Sequence, residues 1–289
     1  MKKQLITLFA VLLTIIISIT QFNAVTLYTD GAYTFADIDA DYVALYAFDN
    51  SSDTLVIPQR YNTQYVSSIY DYAFKDNKVI KTIDFTANKK RLNTIGVKSF
   101  MNTNLTGELN LPASVHNLGL GAFQECDSIT TAQINSNVKE IPAQLFYSCD
   151  NLKTVYIPIT AESIGNLAFA DCPKLEDVYF PSSVTSISES AFNNSMKVVF
   201  NCFKNTYVHQ YAVSHNISVE LLDPEQGDAN CNGVLDINDA TTIQKSVAGI
   251  KQLSKTGSRA ADVNGDGNIT VRDATLIQMR LANIITDFN

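Results

Sequence analysis

The sequence predicts a solenoid of short parallel strands with a helical or irregular convex side, followed by a small all-α module. Three observations carry this prediction. Phe74, Phe100, Phe123, Phe146, Phe169 and Phe192 recur at spacings of 26 residues once and 23 residues four times. Residues 227–250 are written again as residues 261–284, with ten of 24 positions identical. Between the two regions lies Asp223-Pro224-Glu225-Gln226-Gly227, whose Pro and Gly interrupt any regular element.

The chain opens with Met1-Lys2-Lys3-Gln4 and an uncharged, mostly apolar run over residues 5–19. A basic start before a short apolar core is the pattern of a secretory signal peptide, expected here over residues 1–24. The run is short for a membrane-spanning helix, which needs about 20 apolar residues, and no later segment reads as a span. Without residues 1–24, 19 basic residues face 29 acidic ones, a formal net charge of −10. That balance argues against nucleic acid, whose binding rests on Lys and Arg neutralising phosphates.

Residues 25–222 read as the solenoid. An aliphatic residue stands five positions before each Phe: Ile69, Ile95, Leu118, Ile141, Ile164 and Ile187. Downstream comes an apolar triplet, as in Leu152-x-x-Val155-x-Ile157-Pro158 and Leu175-x-x-Val178-x-Phe180-Pro181. Period-2 alternation at that point is a strand, and the part of each unit before it is expected as a turn with a short helical or irregular segment. One unit cannot bury its own apolar residues, so the units must stack into a continuous core. Both ends need caps. Residues 25–59 read as an irregular first unit ending in a strand at Thr54-Leu-Val-Ile-Pro58. Residues 202–212 read as a capping helix before a last strand at residues 217–221.

Outward strand positions pair as Thr82/Asp84, Glu108/Asn110, Thr131/Gln133, Thr154/Tyr156 and Asp177/Tyr179. They would form a polar ladder across the concave sheet. Asp84, Asn110, Gln133, Tyr156, Asp177 and Tyr179 are the candidate ligand contacts there, with an ordinary solvated face as the alternative. Cys126, Cys149 and Cys172 stand three positions after a Phe, where Thr103 and Ser195 stand in neighbouring units. A small buried packing residue explains all five slots; a single disulfide or a metal is the other way to use the thiols. Cys231 is expected to be exposed. His116, His209 and His215 fall in no nucleophile or zinc motif, and no catalytic residue is assigned. The pattern Ile-x-x-x-Ala-Phe-x-x-Cys-x-x-Leu-x-x-Val-x-Ile-Pro resembles the BspA-like class of bacterial leucine-rich repeats, which implies a leucine-rich-repeat solenoid and says little about function.

Residues 223–289 contain the duplication. Each copy carries a twelve-residue loop with oxygen-bearing residues where a calcium ion needs them: positions 1, 3, 5, 7 (through the carbonyl), 9 and 12, with Gly at 6. In the first copy these are Asp228, Asn230, Asn232, Val234, Asp236 and Asp239 around Gly233. In the second they are Asp262, Asn264, Asp266, Asn268, Thr270 and Asp273 around Gly267. Two Ca2+ ions are therefore expected. Position 12 is Asp rather than the usual Glu, and only an exiting helix is legible in each copy. Ala240, Ile243, Val247 and Ile250 lie on one face of the first helix; Ala274, Ile277, Leu281 and Ile284 repeat them.

Two loops with exiting helices, no entering helices and Asp at position 12 resemble a type I dockerin, built of two F-hand repeats. The resemblance implies docking onto a cohesin domain of a scaffoldin, in an extracellular cellulosome or at the cell surface. It also assigns the cohesin contacts to Ile237, Asn238, Gln244 and Lys245 in the first copy and Val271, Arg272, Gln278 and Met279 in the second. The copies differ in charge at Asn238 and Arg272, so one preferred docking orientation is expected. The combined expectation is a secreted, non-catalytic cellulosome component whose repeat face binds protein or glycan during polysaccharide degradation. The alternatives are an enzyme or enzyme modulator of polysaccharide catabolism with its site on the solenoid, and a calcium-dependent surface adhesin.

Overall fold

A computed structural model describes residues 25–204, 206–222 and 224–288. The expected signal peptide and Asp223 at the expected domain boundary lie outside the described residues. Each repeat forms one coil, and each coil contributes strands to two ladders. One ladder is the expected one. It runs in parallel through β9 (Gly107–Leu111), β11 (Ile129–Ile134), β13 (Thr154–Tyr156), β15 (Asp177–Tyr179), β17 (Val199–Cys202) and β18 (Ser218–Leu221). Its inward residues, among them Leu109, Ala132, Val155, Val178 and Phe200, are buried.

The second ladder was not expected. The aliphatic residue before each Phe closes a short strand, and these pair in parallel in two runs: β6 (Gln64–Ile69), β8 (Thr94–Ile95) and β10 (Asn117–Leu118), then β12 (Glu140–Ile141), β14 (Ser163–Ile164) and β16 (Ser186–Ile187). A strand of two residues shows no alternation, which is why the sequence reads as irregular there. The Phe segments that follow are turns rather than helices. Residues two before and two after a Phe adopt positive φ, as at Lys98 and Asn102, Gln144 and Ser148, and Leu167 and Asp171. Left-handed residues at that spacing cannot continue an α-helix. Inside the coils the six phenylalanines stack, with neighbouring ring centroids 5.2–6.0 Å apart.

The N-terminal cap is regular, which corrects the expected irregular unit. β1 (Leu27–Asp30), β2 (Tyr33–Asp37) and β3 (Tyr42–Phe48) form an antiparallel meander, and β3 joins β6 in parallel. The meander ends the second ladder with a sheet edge whose residues Leu27, Tyr28 and Thr29 are half or fully exposed. β4 (Thr54–Val56) falls where the sequence placed it, and β5 (Arg60–Tyr61) hairpins onto β6. At the other end α1 (Tyr207–Ser214) covers the last coil, its first turn capped by Thr206, which accepts the His209 N–H.

One junction interrupts the expected ladder. β7 (Thr82–Asp84) pairs only with β4, whereas the six-stranded sheet begins at β9. The extra three residues of the 26-residue repeat lie just after β7, where Thr86–Asn88 forms a 3-10 turn. Asp84 is thus not in line with Asn110, contrary to the sequence reading.

The C-terminal module holds α2 (Ile237–Val247), α3 (Lys255–Ala261) and α4 (Val271–Leu281). α3 runs directly into the second loop, so that loop has a short entering helix, a correction to the reading of the second copy. Gly257 lies in α3, and no apolar periodicity announced the helix. The core consists chiefly of Ala229, Ala240, Ile243, Ala261, Val263, Ala274 and Ile277. Ala240, Ile243, Ala274 and Ile277 are buried, but Val247, Ile250, Leu281 and Ile284, read on the same faces, are exposed by 46%, 74%, 38% and 67%. α2 and α4 stop at Ala248 and Ala282, and positive φ at Gly249 and Asn283 turns the chain away before Ile250 and Ile284. No helix among the described residues is long and apolar enough to cross a membrane.

Candidate functional site

Each duplicated loop folds around its first and twelfth residues. In the first, Asp228 accepts the N–H groups of Asn232 (2.9 Å) and Gly233 (2.8 Å), while Asp239 accepts those of Asn230 (3.2 Å) and Asp236 (2.9 Å). The second repeats the scheme. Asp262 accepts from Asp266 (3.1 Å) and Gly267 (2.9 Å), and Asp273 accepts from the N–H of Thr270 (2.9 Å). Positions 9 and 12 also make the capping boxes of α2 and α4, Asp236 with Asp239 and Thr270 with Asp273. The loop chemistry and the helix start are therefore one structure.

The donor set suits a hard cation. Asp228, Asp239 and Asp273 are fully buried carboxyls. Burial pushes the Asp239 carboxyl up to about 6 and raises that of Asp228, because an ionised group loses solvation there. Among the described residues six buried side-chain oxygens lack a hydrogen-bond partner, and two of them lie in these loops: Asn230 Oδ1 at position 3 of the first and Asp273 Oδ1 at position 12 of the second. An orphaned acceptor in a buried loop is costly unless something electropositive faces it. Carboxylates alone do not complete either site. Among the described residues no three His, Cys, Asp or Glu side chains converge on a metal position, so the Asn amides and the carbonyls of Val234 and Asn268 would have to contribute, as calcium permits.

The residues assigned to partner docking lie around the starts and outer faces of α2 and α4. Ile237 and Val271 are 54% and 53% exposed, an apolar pair repeated by the duplication. Asn238, Gln244, Lys245, Arg272 and Gln278 are exposed, and Met279 is half-buried.

On the solenoid the register brings Asn110, Gln133, Tyr156 and Tyr179 into one row, and Asp177 into the row through Thr131 and Thr154. Tyr156 and Tyr179 stack, and Asn201 donates to Asp177 (3.0 Å) at the end of the face. Asp84 stands across the break. A cleft of about 510 Å3 opens there, lined by Asp84, Phe85, Lys89, Asn110, Pro112 and Asn135 among others. Reading the strands as uniform missed this cleft; the single 26-residue spacing was its signal.

Three of the cysteines hold neighbouring coils together. The Sγ of Cys126, Cys149 and Cys172 donates to the carbonyl of Phe100, Phe123 and Phe146, each one coil earlier. Ser195 makes the same bond to Phe169. The slot needs a small donor, which explains its Cys and Ser. All five cysteines are free thiols, and Cys231 alone is half-exposed. Burial pushes the Cys126 and Cys172 thiols up to about 11 and 12.

Coils with two ladders and an internal Phe stack, followed by paired loop–helix units, define a leucine-rich-repeat solenoid with an appended dockerin. Residues 67–199 match the BspA type leucine rich repeat region in six copies, and residues 226–282 match the dockerin type I domain. The chain carries both in that order. Among solved structures it is similar to a leucine-rich repeat protein from Eubacterium ventriosum, at 23% identity and a TM-score of 0.51, over 62% of this chain and 46% of that one. It thus spans less than half the length of that protein. A leucine-rich repeat protein from Bacteroides ovatus is 16% identical over 72% of this chain and 69% of its own, with a TM-score of 0.34. The leucine rich repeat protein of T. pallidum is 16% identical over 63% and 70%, with a TM-score of 0.34. No curated protein matches the sequence.

Proposed function

We propose that this is a secreted, non-catalytic cellulosome component that docks onto a scaffoldin cohesin through a dockerin folded around two Ca2+ ions. The observation that carries the reading is the repeated loop: oxygen-bearing residues at the same six positions twice, with an exposed Ile237 or Val271 just beyond each set. Asp228, Asn230, Asn232, Asp236, Asp239 and the Val234 carbonyl would hold one ion. Asp262, Asn264, Asp266, Thr270, Asp273 and the Asn268 carbonyl would hold the other. When bound, calcium supplies the positive charge that lets buried carboxylates stay ionised. The residues themselves do the rest: positions 9 and 12 fix the helix starts, and the helix starts present Ile237, Asn238, Val271 and Arg272 to the partner.

The solenoid face is then the module that the dockerin brings to the assembly. Its row of Asn110, Gln133, Tyr156 and Tyr179 offers amide and aromatic groups to a protein or glycan, and the cleft beside Asp84 and Lys89 adds depth. Titration calorimetry of the mature chain against scaffoldin cohesins, with calcium and with chelator, tests the docking reading. Calcium-dependent binding at a stoichiometry of one supports it. No binding to any cohesin of the source organism sinks it and leaves the adhesin reading.

A further inference from the structure

The two calcium loops have different surroundings. The turn of the second loop is bare: a Cβ added at Gly267 (φ +82°) would meet nothing within 4 Å. The turn of the first loop lies against the solenoid cap. A Cβ at Gly233 (φ +78°) would stand 2.6 Å from Cζ of Phe203. Next to it, the Asn232 carbonyl accepts a hydrogen bond from Ser182 Oγ (2.9 Å), 50 residues earlier in the chain.

Phe203 itself points to the same conclusion. It is only 8% exposed, yet it belongs to neither the solenoid core nor the core of the helical module. The first loop is among the groups that cover it. Cys231, at position 4 of that loop, lines a cavity of about 260 Å3 together with Ser182, Phe203 and Lys204. Three of the differing positions follow this asymmetry: Cys231, Asn232 and Val234 are half-buried where Gly265, Asp266 and Asn268 are exposed, while Gly233 and Gly267 are both exposed.

We infer that Phe203 and Ser182 are positioning residues for the first calcium site, holding its turn in the binding conformation from outside the loop. This rests on the calcium reading proposed above. Gly233 is the residue whose N–H closes onto Asp228 (2.8 Å), so a ring packed on Gly233 and a hydroxyl on the neighbouring carbonyl restrict the segment that sets the loop's curvature. A site ordered before the ion arrives loses less conformational freedom on binding. Among the described residues the second loop is held from outside only at its start, where Gln226 Nε2 donates to the Val263 carbonyl (2.8 Å), and its turn has no such support.

The test uses the mature chain with one site silenced at a time. Asp273→Ala leaves the first site and Asp239→Ala leaves the second, and calcium chloride is titrated into each with and without Phe203→Ala. Phe203→Ala should weaken the first site by about five-fold or more and leave the second unchanged. Ser182→Ala, a half-buried substitution that does not threaten the cap, should act in the same direction more weakly. Equal affinities with and without the substitutions, or equal losses at both sites, would overturn the inference. Amide hydrogen exchange at Asn232 and Gly233 in chelator reads the contact without metal and should speed up in Phe203→Ala. Slow exchange that speeds up, in a chain that binds no calcium at all, would refute the calcium reading and the positioning role together while leaving a purely structural contact.

Discussion

The rings of Tyr156 and Tyr179 stack on the exposed face of the six-stranded sheet, with centroids 4.7 Å apart and planes 10° from parallel. They are paired by register, one strand spacing apart, so the fold itself imposes the stack. Such a pair contributes about 0.5–1.5 kcal/mol beyond area burial. A double-mutant cycle of Tyr156→Ala and Tyr179→Ala, followed by denaturant unfolding, should return a coupling in that range.

The thiols should divide by location. Cys126, Cys149 and Cys172 are fully buried and donate to carbonyls, and burial holds each thiol above its usual range. Their thiolate fraction at neutral pH is negligible, and the thiolate is the reacting form. Alkylation of the native protein with iodoacetamide, read by peptide mass spectrometry, should label Cys231 and spare those three until denaturant is added. Cys149→Ser keeps the donor and should cost less stability than Cys149→Val, which leaves the Phe123 carbonyl unpaired at a cost of about 1–3 kcal/mol.

His215 ties α1 to the preceding coil. Its Nε2 lies 2.8 Å from Glu189 Oε2, and its Nδ1 lies 2.8 Å from the Tyr211 carbonyl. Two acceptors favour the doubly protonated ring, so the hydrogen bond to Glu189, and then that to Tyr211, raise the His215 pKa above 6.5. A raised pKa in the folded state means stabilisation fully present below pH 6.5 and lost as pH climbs through the folded value. An NMR titration should find His215 above 6.5, and Glu189→Gln should lower it. The effect on overall stability should be small, because Glu189 is 83% exposed.

Calcium should act as a folding ligand of the helical module. At free calcium about a hundred times Kd, one site adds about 2.7 kcal/mol to stability. Asp239→Ala and Asp273→Ala should each remove one site's share, and the two together should make the module's melting temperature indifferent to chelator. A calcium-dependent melting temperature in the double variant would contradict the ligand assignment.

Much of this was legible in the residues, and the limits have particular causes. The Phe spacing located the coils because every coil must bury the same ring at the same place. The Cys, Thr and Ser slots were correctly read as packing positions, but their common task, a bond to the Phe carbonyl of another coil or of their own, needs three-dimensional neighbours. The second ladder escaped because two residues carry no period. The exposure of Ile250 and Ile284 escaped because helical periodicity assumes the helix continues, and Gly249 and Asn283 end it first.

The sequence by itself determined the repeat unit, the paired loops and the helix that follows each, because these depend on contacts between residues close in the chain or one period apart. Tertiary structure alone decided where the ladder breaks beside Asp84 and which of the two duplicated loops meets the solenoid cap. Both depend on how separately written segments settle against each other. Phe203 and Gly233 share no periodicity that would announce their contact, and only packing brings the ring onto the one residue that has no side chain to resist it.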